Sequence, residues 1–355
     1  MSRLVIIIIF LTTFISCKES QNKVVLQKIN LESKILFSDS DLDMSTPVHI
    51  QIIDSLLVTV NFKNDTHIDV WNLNPPKKLN SFLKKGNGPL EFRRVDSFRA
   101  NNNDSTINFY DIDSKALFKI SYKELMSEFP SIQKVFSWPL DDNTPFVLYE
   151  TYKLGDSYFA VNKTDTARFL LFDEQNNIRP YEEFPDKEHV NPQLSEMGNA
   201  QLYSSRIAIS PNMKRIMVLS EVSDMLDVIK IDNNTLSVKT KVTTFPNDIY
   251  MMPMKDNLVY GLHTLKTKYY HINVCATDKY VYAIWKGDIH DRKKHPGLMV
   301  SNIVKVYDWD GNECYELILD KDIFNLIVSP DNQIMYALTD KVEGYAILKY
   351  EMDLY

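Results

Sequence analysis

The chain has 355 residues, 44% of them hydrophobic, and 40 lysines and arginines against 47 aspartates and glutamates give a net charge of −7. Such apolar content excludes a disordered chain, 9 glycines exclude collagen-like and low-complexity classes, and 3 cysteines are too few for a disulfide framework. The acidic balance, with no long basic stripe, excludes a nucleic-acid partner, because neutralising phosphates takes a positive footprint.

At the N-terminus, Met1-Ser2-Arg3 leads into an apolar run from Leu4 to Phe10, then Leu11-Thr12-Thr13-Phe14-Ile15-Ser16-Cys17. One positive charge, a short apolar run and a small residue before the break is the layout of a secretory signal. The 13 residues between Arg3 and Cys17, at about 1.5 Å each, fall short of the ~30 Å hydrocarbon core a transmembrane helix spans. Phe14-Ile15-Ser16-Cys17 resembles a bacterial lipobox, with Phe14 in place of the usual leucine. The resemblance implies that residues 1–17 are removed as a lipoprotein signal peptide and that Cys17 carries the lipid. Several acyl chains anchor stably where one is marginal. The expectation is a lipid-anchored protein of the bacterial envelope, extracytoplasmic, with the outer membrane favoured over the inner.

Residues 18–45 are polar and read as a spacer, with one isolated strand at 24–29 that would close a ring with the last group of strands. Within the spacer, Asp39-Ser40-Asp41-Leu42-Asp43 mimics the start of a calcium loop, but Met44 and Ile50 stand where that loop needs glycine and glutamate. From 46 onward, short apolar runs alternate with Asn, Asp, Gly and Pro, the all-β signature, and 12% aromatic residues suit pleated surfaces. Only Tyr122 to Phe129, ended by Pro130, reads as helix. Groups of strands begin near Val48, Asp96, Phe146, Arg206, His271 and Phe324, at intervals of 48 to 65 residues. Polar turns follow each first strand: Asp54-Ser55, Asn103-Asp104-Ser105, Gly155-Asp156-Ser157, Ser210-Pro211-Asn212, Thr277-Asp278-Lys279 and Ser329-Pro330-Asp331. Six such units predict a six-bladed β-propeller of four-stranded antiparallel blades over residues 46–355.

Ser-Pro-Asp-type turns, with Tyr307-Asp308-Trp309-Asp310-Gly311-Asn312 one hairpin later, look like blades of TolB-like and NHL-like propellers. Lys84-Lys85-Gly86-Asn87-Gly88-Pro89-Leu90-Glu91-Phe92 resembles the glycine-rich motif of a bacterial lipoprotein family, the TolB-like six-bladed propellers, with Leu90 where the family carries a further glycine. The resemblance implies no catalytic residues.

Blade geometry puts the first-to-second turns on one face. The long segments 185–203, 246–269 and 287–301, and the 84–92 crossing, fall on the other, where a binding surface is expected. Gly86, Gly88, Pro89, Glu91 and Phe92 read as a structural corner between blades, because no P-loop lysine follows. His290-Asp291-Arg292-Lys293-Lys294-His295 pairs two histidines in one loop, but the cations beside them oppose a zinc ion, leaving His290, Arg292 and His295 as possible ligand-binding residues. His49, Arg206 and His271 lie on inner strands and are expected to face the axial channel. Cys275 and Cys314 read as structural, and spacing alone does not establish a bridge.

No nucleophile elbow or triad is present. The reading is therefore a monomeric, non-enzymatic binding module with no cofactor or metal, presenting its long-loop face to an envelope protein, peptide or glycan. The alternative is a lyase or hydrolase resembling propeller lactonases and amidating lyases, with a divalent metal held on the axis by residues such as His49 and His271.

Overall fold

The structure, a computed structural model, describes residues 26–42, 46–62, 64–137, 148–162, 167–173, 175, 177–183, 203–232, 235–242, 249–253, 259–290, 298–340 and 344–354. Cys17 lies outside them, as do Arg292 and His295.

The chain folds into the expected six-bladed propeller. Blade one is Pro47–Ile53, Leu56–Asn61, Thr66–Leu73 and Pro76–Lys84. Blade two is Val95–Asn101, Thr106–Asp111, Ala116–Ser121 and Ile132–Ser137. Blade three is Leu148–Leu154, Ser157–Asn162, Ala167–Asp173 and Arg179–Glu183, and blade four is Ser205–Ile209, Arg215–Ser220, Met225–Asp232 and Thr235–Val242. Blade five is Lys268–Ala276, Tyr280–Ile289, Ser301–Asp308 and Glu313–Ile323, and blade six begins with Asn325–Val328, Ile334–Thr339 and Ala346–Glu351. Each blade is an antiparallel meander, and the inner strand of blade six packs against that of blade one, closing the ring.

Blade sheets are buried on both faces, so their middle strands read as nearly continuous apolar runs rather than strict alternation. Leu57, Val58, Thr59, Val60 and Asn61 are all buried in succession. Six buried apolar clusters result, each filling the space between two neighbouring blades. The first-to-second turns are tight because one residue takes a left-handed conformation: Asp54, Ser105, Gly155, Met213 and Asn332 have φ between 51° and 61°. In the Ser-Pro turns the serine hydroxyl does the closing. Ser210 Oγ accepts from Arg215 N at 2.9 Å, and Ser329 Oγ accepts from Ile334 N at 3.0 Å.

The N-terminal segment enters the ring differently from expectation. The strand that completes blade six is Ser33–Phe37, paired antiparallel with Ala346–Glu351. The earlier strand, expected at 24–29 in that role, is Gln27–Leu31, and it adds to blade five as a fifth strand parallel to Tyr315–Leu319. The Phe37 ring settles 5.0 Å from that of Trp71, a burial that position 24–29 has no aromatic residue to match.

Two further expectations are corrected. The helix over 122–129 is a single 3-10 turn, Tyr122–Glu124. Leu125 is buried, but Met126 and Phe129 are 53% and 82% exposed, so successive turns share no apolar stripe that packing would stabilise. The crossing at 246–269 contains a hairpin, Ile249–Pro253 with Val259–His263. Much of the three long segments, including 185–202, 254–258 and 291–297, lies outside the described residues.

Candidate functional site

The motif loop is built from its glycines outward. Gly88 O accepts from Glu91 N at 3.1 Å, a β-turn with Pro89 at its second position, where a fixed φ suits it. Leu90, at the third position, keeps a negative φ, so this turn does without the family's further glycine. Glu91 folds back over the loop, and its Oε2 accepts from Gly88 N at 2.9 Å. That backbone N–H bond is the main reason its carboxyl lies below the usual glutamate range. A Cβ on Gly86 would sit 1.9 Å from Glu91 Oε2, so only glycine leaves room. Phe92 then inserts into blade two, edge-on to Phe109 and Phe118 at 5.2 and 5.0 Å, while its carbonyl contacts His67 Nε2 at 2.9 Å. These contacts are those of a corner that docks blade one on blade two.

The axis holds the concave site. A cavity of about 370 Å³ is lined by residues from all six blades. Its walls are the ends of the inner strands and the turns that follow them, so it opens as a funnel on the tight-turn face, opposite the face expected to bind. Below it a smaller void of about 30 Å³ is bounded by His49, Arg99, Tyr152, Arg206, Asn273 and Asn325, room for a water or two.

Arg99 divides the two spaces. Its Nη2 donates to Tyr152 Oη at 3.3 Å and to Ile207 O at 3.0 Å, and its guanidinium lies 5.2 Å from the centre of the Tyr152 ring. Asn108, on the second strand of blade two, is the direct cross-strand partner of Arg99. It lines the funnel at 4% exposure, and its Oδ1 makes no hydrogen bond within the protein. Lys153, at the lip, is held by Asp104 at 2.9 Å.

Two of the three expected channel residues lie there. His49 borders the lower void, with Nδ1 3.2 Å from Asn325 Nδ2. Arg206 borders it too, and its Nη2 reaches Glu221 Oε1 at 2.6 Å. His271 does not face the channel. Register shifts on both sides of it re-aim the ring between blades four and five, where Nδ1 lies 2.9 Å from Ser220 O and Nε2 lies 3.3 Å from Tyr307 Oη. Burial pushes this imidazole down to about 4, against the opposing pull of the Ser220 carbonyl. The axial histidine pair that a metal site would need is therefore not formed. Among the described residues, no three His, Cys, Asp or Glu side chains are placed to hold a metal ion. His290 stands at the end of a blade-five strand, its ring 6.3 Å from that of Tyr269.

Cys275 and Cys314 are both free. They occupy the first and fourth strands of blade five, and three strand spacings of ~4.8 Å exceed the reach of a disulfide. Burial pushes the Cys275 thiol up to about 12.

The funnel residues that sequence reading missed are Arg99, Asn108 and Tyr152. A signal existed for Arg99. Phe98-Arg99-Ala100-Asn101 precedes its turn as Arg206-Ile207-Ala208-Ile209 precedes Ser210-Pro211, with an arginine before a short run to the turn. Asn108 had none, because it lies on a second strand rather than an inner one.

A comparison with curated protein sequences finds no match. Among solved structures, a putative exported protein from Bacteroides fragilis NCTC 9343 superposes with a TM-score of 0.52 at 13% identity, covering 93% of this chain and 100% of that one. A member of the DUF4221 family from Bacteroides vulgatus ATCC 8482 gives 0.52 at 10% identity, over 88% and 96% of the two chains. At these identities the likeness is one of fold. The family described as TolB-like 6-blade propeller-like matches residues 21–331. The chain belongs to that TolB-like six-bladed propeller family.

Proposed function

We propose that this chain is a lipid-anchored propeller of the bacterial envelope, tethered through Cys17, that works as a non-enzymatic binding module with its ligand in the axial funnel. The observation that carries the reading is the funnel itself, about 370 Å³ walled by side chains from all six blades. A rigid ring that brings six strand ends to one concavity suits recognition, and ligand pockets of a few hundred Å³ are of this kind. The tether is supported by the Phe14-Ile15-Ser16-Cys17 resemblance. The volume admits a small molecule, or the terminal unit of a glycan or peptide, rather than a folded protein surface.

Native mass spectrometry of the full chain, purified from bacterial membranes in mild detergent, tests this. The expected result is a bound mass on the wild type that is lost when the funnel is filled by Ala276→Trp. Wild type without a bound mass, or a bound mass that survives the filled funnel, overturns the reading.

A further inference from the structure

We propose that the funnel binds the uncharged, hydroxyl-rich end of a glycan, a ligand class that rests on the funnel being the binding site. The floor is closed by Arg99. Its guanidinium crosses from blade two to Tyr152 Oη in blade three and Ile207 O in blade four, and beneath it lies the void of about 30 Å³. A chain therefore does not thread the axis, and whatever enters does so by an end. The ends of a peptide carry a charged amine or carboxylate at neutral pH. The non-reducing end of a neutral glycan carries no charge.

Charge at the mouth turns anions away. The turns between first and second strands bring Asp54, Asp104, Asp156, Asp278 and Asp331 to this face, against Lys214 and Lys279. Lys153, the cation of the lip, is already clasped by Asp104. Such an acidic rim repels a carboxylate or a phosphate on approach. A cation fares no better once inside. The acid of the lining, Asp278, is exposed at the lip, so among the described residues the depth of the funnel offers no carboxylate to meet a desolvated ammonium.

What the walls do offer is carboxamide. Gln51 of blade one and Asn108 of blade two both line the funnel. Asn108 Oδ1 is buried without a partner, and the Gln51 amide has none among the described residues. Asn102, at the lip of blade two, accepts from Tyr122 Oη at 2.7 Å and keeps its amide nitrogen to donate. The lining hydroxyls of Ser210 and Thr277, by contrast, are taken up in closing their own turns. Each carboxamide presents a donor and an acceptor side by side, and two adjacent sugar hydroxyls offer the complementary acceptor and donor. A buried acceptor calls for a donor, and a hydroxyl supplies it without bringing charge. At about 370 Å³ the funnel stands at the small end of ligand pockets, which suits a terminal sugar rather than a long oligosaccharide.

Saturation-transfer NMR titration of the full chain in mild detergent tests the class with the methyl glycosides of glucose, galactose, mannose and N-acetylglucosamine. At least one is expected to bind. The 6-carboxylate and 6-amino analogues of that sugar are expected to bind ~10-fold more weakly, as charged groups without a partner in the funnel. Gln51→Ala and Asn108→Ala are each expected to weaken the sugar by ~10-fold, the scale of one hydrogen bond. Gln51→Ala strands no partner, so it keeps the test decisive if thermal unfolding shows that Asn108→Ala does not fold. Binding of none of the four glycosides, equal binding of the charged analogues, or undiminished binding by Gln51→Ala overturns the class. A co-purified mass that Ala276→Trp removes then leaves the funnel reading standing, whereas wild type without such a mass brings down both.

Discussion

Arg168 of blade three and Asp227 of blade four form a bidentate ion pair across the blade boundary. Both are buried, at 3% and 0% exposure. Arg168 Nη1 donates to Asp227 Oδ1 at 3.1 Å, Nη2 pairs with Oδ2, and Thr240 Oγ1 adds a third donor to Asp227 at 2.6 Å. Every oxygen of the carboxylate is thus satisfied inside the protein, which is the condition under which a buried pair is tolerated.

Breaking this pair from one side is expected to be far worse than removing it whole. Arg168→Met leaves a buried carboxylate with one partner and should cost about 3–5 kcal/mol, whereas Arg168→Met with Asp227→Leu should recover most of that loss. Urea unfolding of the two variants measures it. A single variant within about 1 kcal/mol of wild type would show that the pair is dispensable for docking blade three on blade four.

At the blade-one corner the controlling contact is steric. A methyl on Gly86 collides with Glu91 Oε2 at 1.9 Å, so Gly86→Ala must expel the Glu91 side chain from its bond to Gly88 N. The melting temperature should fall by roughly 2–4 °C, the scale of a small perturbation in a large domain. Glu91→Ala in the same chain should remove the steric part of the Gly86→Ala loss and leave only the backbone strain of a side chain at φ 156°, so the double variant should lose less than the two single losses added, a non-additivity expected of touching residues. Additive losses in the double variant would refute the contact.

Much of this fold is legible because propeller blades announce themselves through turns. Asp54, Ser105 and Asn332 hold left-handed conformations that Asx and Ser tolerate, so the turn chemistry located each inner strand to within a few residues. The motif Gly86 to Phe92 was likewise readable as a corner, because its glycines and proline dictate local geometry. Side-chain direction was harder. His271 sits on an inner strand like His49, yet irregular register on both sides turns it away from the axis, and nothing in the local sequence marks a bulge. Arg168 and Asp227 are 59 residues apart, and their pairing follows only from the angle between blades. Asn108 lines the funnel from a second strand, beside its cross-strand partner Arg99, a placement set by strand pairing rather than by any single segment.

The tether makes a separate prediction. Peptide mass spectrometry of the mature chain should find an acylated N-terminal cysteine at position 17, and Cys17→Ser should release the protein to the soluble fraction. An unmodified N-terminus elsewhere, or membrane association unchanged in Cys17→Ser, would remove the anchor from the proposal. The propeller and its funnel would be unaffected, since the first strand among the described residues is Gln27–Leu31.

His271 gives the molecule a distinctive acid response. In the folded chain, burial holds its imidazole neutral down to about pH 4, whereas the same side chain in the unfolded chain titrates near ~6.5. Above pH ~6.5 both states carry neutral histidine, and the stability associated with this group is fully present. As pH falls towards 4, the unfolded chain takes up a proton that the folded chain refuses, so stability is progressively lost. The loss approaches about 3 kcal/mol at the lower end of that window. Carboxylates such as Asp331, whose pKa the Ser329 hydroxyl lowers, lose their contribution only below the ordinary carboxyl range of ~4 and so act in a more acidic window. His271→Gln removes the titration while keeping a donor for Ser220 O. Urea unfolding at about pH 7.5 and pH 4.5 should therefore show wild type losing about 2–3 kcal/mol more than the variant between the two conditions. Equal losses in both proteins would mean that the ring is protonated in place, through an opening between blades four and five that the packed Ser220–His271–Tyr307 contact does not allow.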